Sequence, residues 1–370
     1  MTKVLIIAND ESTIVNFRLE ILETFIREGF DVTVAYPLAK RTSLVEQTGA
    51  KVRDIAVSRH GQNIAQDIKF FNDCKKLITE IKPDVVLTYT IKPNIYASIA
   101  SQKMHVPYIN TITGIGSVVS SKSFLSKILL KMQKYAYRKS SCVFFQNQDN
   151  LEKFRELNVI SQETNAILVP GSGVNLDKQK YEEFPPNDGI TRFIIVSRLR
   201  SDKGYNEFFD MAEAIKAKYP NTEFNVVGWY EEPELSVRVD ALNEAEIIKY
   251  HGEKTQAEVH ELIKQCNCLM HPSYHEGMAN VILEAASTGR PVIVSNIPGC
   301  KEGVDAGETG LLCEVKDSQS LINAVEEYLS IPYEKQVEMG LKARQKMQNE
   351  FDREFVAKEY IKQIKLAEKR

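Results

Sequence analysis

Glu276 and Glu284, with seven residues between them, sit in the stretch Pro272-Ser273-Tyr274-His275-Glu276-Gly277-Met278-Ala279-Asn280-Val281-Ile282-Leu283-Glu284-Ala285-Ala286. The apolar run Cys268-Leu269-Met270 ends at its Pro-Ser turn, as a strand leaving a sheet would. Val281-Ile282 and Ala285-Ala286 then recur at helical spacing, which predicts a buried helix starting near Ala279. Glu276 falls in the strand-to-helix turn, and Glu284 faces the same end from the second helical turn. Between them the backbone N–H groups of Gly277, Met278, Ala279 and Asn280 are expected as free donors at a helix N-terminus, where a phosphate is favoured. Two carboxylates for sugar hydroxyls flanking an amide nest for phosphate is the chemistry of a nucleotide-sugar site. The competing reading, an N-capping Glu and a surface Glu on an ordinary helix, ignores the rest of the fifteen-residue context.

A second constellation supplies cations. Ser197-Arg198-Leu199-Arg200-Ser201-Asp202-Lys203-Gly204 follows a strand-like run and leads into a helix at Tyr205. Arg198 and Lys203 therefore belong at the C-terminal end of a sheet, where α/β folds bind ligands. A departing nucleoside diphosphate develops negative charge, and without a metal fixed cations must stabilise it. The chain contains no Asp-x-Asp pair, so Arg198 and Lys203 are expected to act in place of a metal, and no metal or other cofactor is expected. Gly228-Trp229-Tyr230 follows another strand end, where Trp229 either lines the nucleotide cleft or simply packs.

These motifs resemble the retaining, GT-B fold glycosyltransferases of family 4 type, whose signature is Glu, seven residues, Glu. Gly289-Arg290-Pro291-Val292-Ile293-Val294-Ser295, Pro298-Gly299, Glu302-Gly303-Val304 and Thr309-Gly310-Leu311-Leu312 look like the strands and loops that follow the signature. The resemblance is strongest from about Arg192 to Leu329 and extends loosely over nearly the whole chain. It implies that Arg198 and Lys203 hold the diphosphate, that Glu276 contacts the donor sugar's hydroxyls, and that Glu284 accepts from the ribose. It also implies base recognition through backbone groups at His251-Gly252-Glu253-Lys254. Asn9 to Arg18 stands where many relatives have a Gly-Gly turn, and no histidine occurs near Thr90, where some members place one. In that half Asn16, Arg18, Lys92, Asn94, Gly114, Gly116 and Ser117 are the candidates for the acceptor or the cleft. Asn-Phe-Arg, Lys-Pro-Asn, Gly-x-Gly-Ser and Gly171-Ser172-Gly173-Val174-Asn175 look like a narrower subgroup that extends lipid-linked oligosaccharides, several members using UDP-N-acetylhexosamines. The resemblance thus implies a UDP-sugar donor and a polyprenyl-diphosphate-linked saccharide acceptor. Rival activities are a UDP-sugar 2-epimerase of the same fold and a non-catalytic nucleotide-sugar-binding protein. A nicotinamide dehydrogenase is excluded because no Gly-x-Gly-x-x-Gly follows the first strand.

The elements that must position these residues are legible in the apolar pattern. Lys3–Ala8, Asp31–Ala35, Lys51–Val57, Asp84–Thr88, Tyr108–Thr111, Cys142–Phe145 and Ala166–Val169 read as strands, with helical patterns such as Val15–Arg27 and Asp67–Lys82 between them. After a turn-rich stretch at Phe184–Gly189 the alternation restarts with Arg192–Ser197, Glu223–Val227, Ile247–Tyr250, Cys268–His271, Pro291–Ser295 and Gly310–Cys313. Strand–helix alternation of this kind implies parallel, doubly wound sheets. The expected architecture is α/β, a GT-B fold of two Rossmann-like domains, 1–183 and 190–350, with an interdomain cleft. A C-terminal helix, 351–370, is expected to cross back to the first domain.

At 370 residues the chain has room for two cores of ordinary size. Six scattered cysteines show no zinc spacing, no apolar run approaches a membrane span, and Met1 leads straight into a strand, all of which fit a reduced cytoplasm. The net charge of −3 hides an asymmetry: residues 1–180 hold 24 Lys and Arg against 17 Asp and Glu, whereas residues 181–370 hold 23 against 33. The basic half contains Lys122–Lys139, with six cations and no anion. In it Phe124, Leu125, Ile128, Leu129, Met132 and Tyr135/Ala136 recur at helical spacing, with Lys127, Lys131 and Lys134 on the remaining face. That pattern reads as a basic amphipathic helix on an anionic membrane surface, at the cytoplasmic face of the inner membrane. The alternative is a helix that packs its apolar stripe on the core. No nucleic-acid partner is expected.

Overall fold

The computed structural model describes residues 1–57, 63–114 and 124–369, leaving aside the side chains of Phe124 and Leu125. The chain divides into two compact units, 1–173 with 353–370, and 174–352. The crossings therefore lie at Gly173/Val174 and Asp352/Arg353, not at the turn-rich stretch 184–189. The reason is that the segment after Val174 is tied to the second unit. The Val174 N–H donates to Phe351, Arg344 to the carbonyls of Leu176 and Gln179, and the Arg290 guanidinium to those of Glu182 and Glu183.

The first unit is a seven-stranded parallel sheet in the order β3-β2-β1-β4-β5-β6-β7. Its strands are β1 (Lys3–Ile7), β2 (Asp31–Tyr36), β3 (Lys51–Asp54), β4 (Val85–Tyr89), β5 (Tyr108–Ile112), β6 (Cys142–Phe145) and β7 (Ala166–Leu168). Both faces of β1, β2, β4, β5 and β6 are buried, so these strands read as nearly continuous apolar runs, while the edge strands β3 and β7 stay at least partly exposed. Val4, Ile6, Val32 and Val34 join one cluster with Phe25 and Tyr360, while Leu5, Ile7 and Val86 join the other with Phe70, Cys74 and Ile78. The C-terminal helix Arg353–Ala367 belongs to this unit. Its Tyr360 ring lies 4.3 Å from that of Phe144, and its hydroxyl is 2.7 Å from that of Thr111.

The second unit is a six-stranded parallel sheet in the order β10-β9-β8-β11-β12-β13. Its strands are β8 (Thr191–Val196), β9 (Thr222–Val227), β10 (Lys249–Tyr250), β11 (Cys268–His271), β12 (Val292–Ser295) and β13 (Gly310–Cys313). Phe193, Ile195, Cys268 and Met270 face one layer of helices, and Ile194 and Leu269 face the other. In each unit the strand order reverses at one place, between β1 and β4 and between β8 and β11. Loops leaving the C-terminal ends of such a pair run to opposite faces and open a crevice for a ligand. All six cysteines are buried and none is in a disulfide. Among the described residues no helix is long and apolar enough to cross a membrane.

Candidate active site

The two constellations singled out in the second unit follow β8 and β11, the neighbouring pair at its switch point. After β8 the chain makes one 3-10 turn, Ser201–Lys203, and enters the helix Tyr205–Lys218 through Gly204. After β11 it turns at Pro272–Tyr274 and enters the helix Asn280–Ser287, with Ala279 as N-cap. The two turns are joined by backbone. The Tyr274 N–H donates to the Asp202 carbonyl at 2.9 Å, and Ser273 Oγ donates to the same carbonyl at 3.3 Å. Tyr274 OH reaches the Glu207 carboxylate at 2.7 Å. A Cβ on Gly204, at φ +76°, would lie 2.1 Å from the Pro272 carbonyl oxygen, so only glycine allows this approach. Gly228, at φ +150°, holds the ends of β8 and β9 together in the same way, since a Cβ there would lie 1.8 Å from the Ser197 carbonyl oxygen.

This locking brings Lys203 and Glu276 into contact, with Nζ 2.6 Å from Oε1 and both side chains largely buried. The same Oε1 is 2.8 Å from His271 Nε2. Burial by itself would raise the carboxyl's pKa. The His271 hydrogen bond and charge, and then the Lys203 charge, outweigh it and hold Glu276 at about 2. Glu276 is therefore ionised, and His271 Nε2 must be the protonated, donating nitrogen. Arg198 is half exposed and paired with Glu231 at 2.7 Å, and Glu231 also meets Arg200 at 3.6 Å. Glu284 lies half-buried in the helix Asn280–Ser287. Trp229 is 47% exposed, so it is not a core residue, and its carbonyl accepts from the Leu199 N–H at 2.9 Å. His251 follows β10 with Nε2 2.8 Å from Asn225 Oδ1, and burial, then Lys254 and Lys249, pushes its pKa down.

One expected donor is already used. The Ala279 N–H donates to the Gly299 carbonyl at 2.8 Å, because the loop after β12 packs directly on the turn at Glu276 and Gly277. Ala279 is thus withdrawn from the anion nest predicted over Gly277–Asn280. His271 and Glu231 were not among the sequence candidates. In the sequence His271 is the end of a strand, and its place five residues before Glu276 is the available signal; nothing local marks Glu231 as the partner of Arg198.

Of the candidates in the first unit, Asn16 and Arg18 follow β1 and Lys92 and Asn94 follow β4, again the switch-point pair, while Gly114 follows β5. The predicted helix Val15–Arg27 is two helices, Glu11–Val15 and Leu19–Arg27. At the break Arg18 turns inward: it is 4% exposed, its guanidinium lies 3.9 Å over the Tyr89 ring, and it donates to the Thr13 carbonyl. Asn16 Oδ1 accepts from Arg41 at 2.7 Å. Asn94, expected to face a cleft, is 2% exposed and sits in a buried network. It accepts from Thr88 at 2.7 Å and donates to the Thr111 carbonyl at 2.8 Å, while Asn110 bridges Thr88 and Ser98. A buried amide needs such partners, so Asn94 braces β4 and β5 rather than meeting a ligand. Arg18 is likewise a packing residue. Lys92 remains partly exposed and pairs with Asp67 at 2.8 Å. Thr90, a β-branched residue at φ +72°, forms the strained turn between β4 and the helix Ile91–Lys103. Gly114 takes φ +154°, whereas Gly116 and Ser117 lie outside the described residues.

The basic segment forms the helix Phe124–Tyr137. Its inward face is Ser126, Gln133, Ala136 and Tyr137. Lys127, Lys131 and Lys134 are exposed together with Ile128 and Tyr135, and Leu129 and Met132 are half-buried. Of the predicted apolar stripe, Ile128 and Tyr135 therefore share the outer surface with the lysines, Leu129 and Met132 are half-buried, and Ala136 packs inward.

Comparison with known proteins agrees with the motifs. Residues 177–346 match the family described as glycosyl transferases group 1, and residues 3–147 match the glycosyl transferase 4-like family. The N,N'-diacetylbacillosaminyl-diphospho-undecaprenol alpha-1,3-N-acetylgalactosaminyltransferase of Campylobacter jejuni is 24% identical over 369 residues, 95% of each chain. The UDP-Gal:alpha-D-GlcNAc-diphosphoundecaprenol alpha-1,3-galactosyltransferase of Escherichia coli is 27% identical, covering 83% of this chain and 82% of the relative. Among solved structures, Anabaena HepE in complex with UDP superposes with a TM-score of 0.80 at 18% identity, over 99% of this chain and 100% of that one. Sucrose-phosphate synthase from Thermosynechococcus elongatus does so with 0.76 at 17% identity, over 98% of both. With two Rossmann-like units of this topology and a match to a glycosyl transferase family in each, the chain belongs to the GT-B fold glycosyltransferases.

Proposed function

We propose that this glycosyltransferase moves a sugar, an N-acetylhexosamine, from a UDP donor to a polyprenyl-diphosphate-linked saccharide, with retention of anomeric configuration and without a metal. The observation that supports it most is the joining of Lys203 and Glu276 at the β8/β11 switch point, where a cation for a diphosphate and a carboxylate for a sugar hydroxyl stand side by side. The similarity to a transferase named for an undecaprenyl-diphosphate-linked acceptor, over 95% of both chains, supports the acceptor class. In the reaction the acceptor hydroxyl attacks the anomeric carbon on the face that the diphosphate is leaving. The carbon–oxygen bond to the β-phosphate breaks, and that phosphate oxygen takes the acceptor's proton. Lys203 and Arg198 stabilise the charge on the leaving group, and Glu276 aligns the sugar. Glu284 accepts from the ribose hydroxyls, and Gly277, Met278 and Asn280 are the remaining candidates for the phosphate nest. The acceptor's lipid is reached from the cytoplasmic face of an anionic bilayer, and the helix Phe124–Tyr137 is the element that touches it. Its exposed Lys127, Lys131 and Lys134 beside Ile128 and Tyr135 support that role.

A thermal-shift series with UDP-N-acetylgalactosamine, UDP-N-acetylglucosamine, UDP-galactose and GDP-mannose tests the donor, because a ligand that binds the folded state raises its stability. A UDP-N-acetylhexosamine should give the largest shift and then serve as donor to a polyprenyl-diphosphate saccharide, with an α linkage by NMR. Turnover should survive EDTA. Loss of turnover on chelation with recovery in Mg²⁺ would remove the metal-free reading, and a C2 epimer formed without acceptor would remove the transferase reading.

A further inference from the structure

We infer that His271 is a positioning residue for the donor-sugar carboxylate: its imidazole fixes Glu276 through Oε1 and leaves Oε2 as the edge offered to a sugar hydroxyl. The inference rests on the proposed role of Glu276 toward the donor. His271 is the last residue of β11 and is 3% exposed. Its Nε2 lies 2.8 Å from Glu276 Oε1, the oxygen that also takes Lys203 at 2.6 Å. Among the described residues, Glu276 Oε2 accepts no hydrogen bond, and His271 Nδ1 is buried with no partner. A ring placed only for packing would not bury two nitrogens, one of them unpaired, where an apolar side chain of similar size would fit. The contact with Glu276 is what the ring gains.

The division of labour follows from the two donors. Lys203 is a flexible point charge on a long stem, and the proposed reaction asks it to follow charge developing on the leaving phosphate. His271 is rooted in a strand and has two side-chain torsions, so it holds Glu276 in place while Lys203 changes partner. Orientation of this kind affects the bond-breaking step more than nucleotide binding.

The test compares His271→Gln with His271→Asn, both polar and close in size. The Gln amide nitrogen reaches the position of Nε2, whereas that of Asn stops near Nδ1. With UDP affinity unchanged by calorimetry and the thermal midpoint of both variants close to wild type, H271N should lower kcat about 10–100-fold, and H271Q should recover most of that loss. The double variant H271N/E276Q should be no slower than E276Q alone, because the two residues act as one unit. Wild-type kcat in H271N, equal losses in H271N and H271Q, or losses of H271N and E276Q that multiply in full would each overturn the inference. If E276Q loses turnover while H271N keeps it, the positioning role alone falls. If E276Q keeps full turnover, the role of Glu276 falls and the positioning role with it. Should H271N not fold, His271→Met, which fills the space without supplying a donor, takes its place in the same comparisons.

Discussion

Lys203 and Arg198 each arrive at the site already paired, one with Glu276 and the other with Glu231. Such pairs hold both cations at the proposed diphosphate site before a donor enters, and on the proposed reading the diphosphate then replaces the carboxylates as their partner. Replacing Lys203 by Ala is expected to lower turnover about 100-fold or more, measured as kcat with donor saturating. Arg198→Ala should do the same, with the milder loss expected at the more exposed position. Glu284→Gln should weaken UDP affinity by calorimetry, while Glu276→Gln should leave that affinity alone and depress kcat, because the ribose is held equally in ground and transition states. Equal effects of the two changes on UDP affinity would contradict these roles. Glu276 also gives a stability signature. Its pKa is about 2 in the folded protein against an ordinary 4.5, so its contribution is fully present above about pH 4.5 and disappears as pH falls through about 2. The Glu276→Gln protein should therefore lose less stability than wild type over that window, by an amount on the order of 1–3 kcal/mol in urea titrations. Parallel pH curves for the two proteins would show that the pairing is not present in solution.

The elements matter because the chemistry sits on turns, not on the strands that lead to them. Gly204 lets the turn after β8 approach the turn after β11 closely enough for the Tyr274 N–H to reach Asp202. Gly204→Ala adds a Cβ to a backbone at φ +76° and drives it toward the Pro272 carbonyl. It should destabilise the protein by about 2 kcal/mol or more and lower turnover as well, since Lys203 precedes the glycine. A variant with wild-type stability and turnover would mean that the two turns separate readily. On the helix Phe124–Tyr137, changing Lys127, Lys131 and Lys134 to Glu should abolish flotation with anionic liposomes, because attractive contributions of about 1 kcal/mol each become repulsive. UDP affinity should stay the same, since the residues proposed to bind the nucleotide are in the other unit. Flotation equal to wild type would assign the helix to packing alone.

Each unit of the molecule has its own sheet and cores, yet the first is completed by residues from the far end of the chain. Tyr360 is buried among Phe25, Tyr89 and Phe144, and the Arg353 guanidinium pairs with Glu20. Ending the chain at Asp352 should therefore unfold the first unit while the second still melts cooperatively and still shifts with UDP in calorimetry. Removing a buried aromatic side chain from a core costs about 3 kcal/mol or more, and the truncation removes Tyr360 together with Val356, Ile361 and Ile364. A single transition at the wild-type temperature would show that the helix is dispensable.

The alternation of strands and helices, and with it the class of fold, is written in the local apolar pattern. Apolar runs such as Val4–Ile7 and Cys268–Met270 bury both faces of a parallel sheet, which leaves a periodic trace that needs no partner to be seen. The sequence also marks Arg198, Lys203, Glu276 and Glu284, because residue type and spacing next to a strand end are local properties. Tertiary structure decided what is nonlocal. That Lys203 meets Glu276 depends on β8 lying beside β11, a pairing across more than seventy residues. Arg18 and Asn94 looked like site residues because polar groups after a strand usually face solvent or ligand. Only the fold shows that Tyr89 covers one and that Thr88, Asn110 and Thr111 satisfy the other. The place where the chain changes units is not legible for a related reason: Pro and Gly mark a turn, but which core that turn packs on is set by hydrogen bonds from Arg290 and Arg344, over a hundred residues away. The charge on the basic helix could be read from the sequence, but the side on which Ile128 and Tyr135 lie could not, because that depends on which face the neighbouring helix covers.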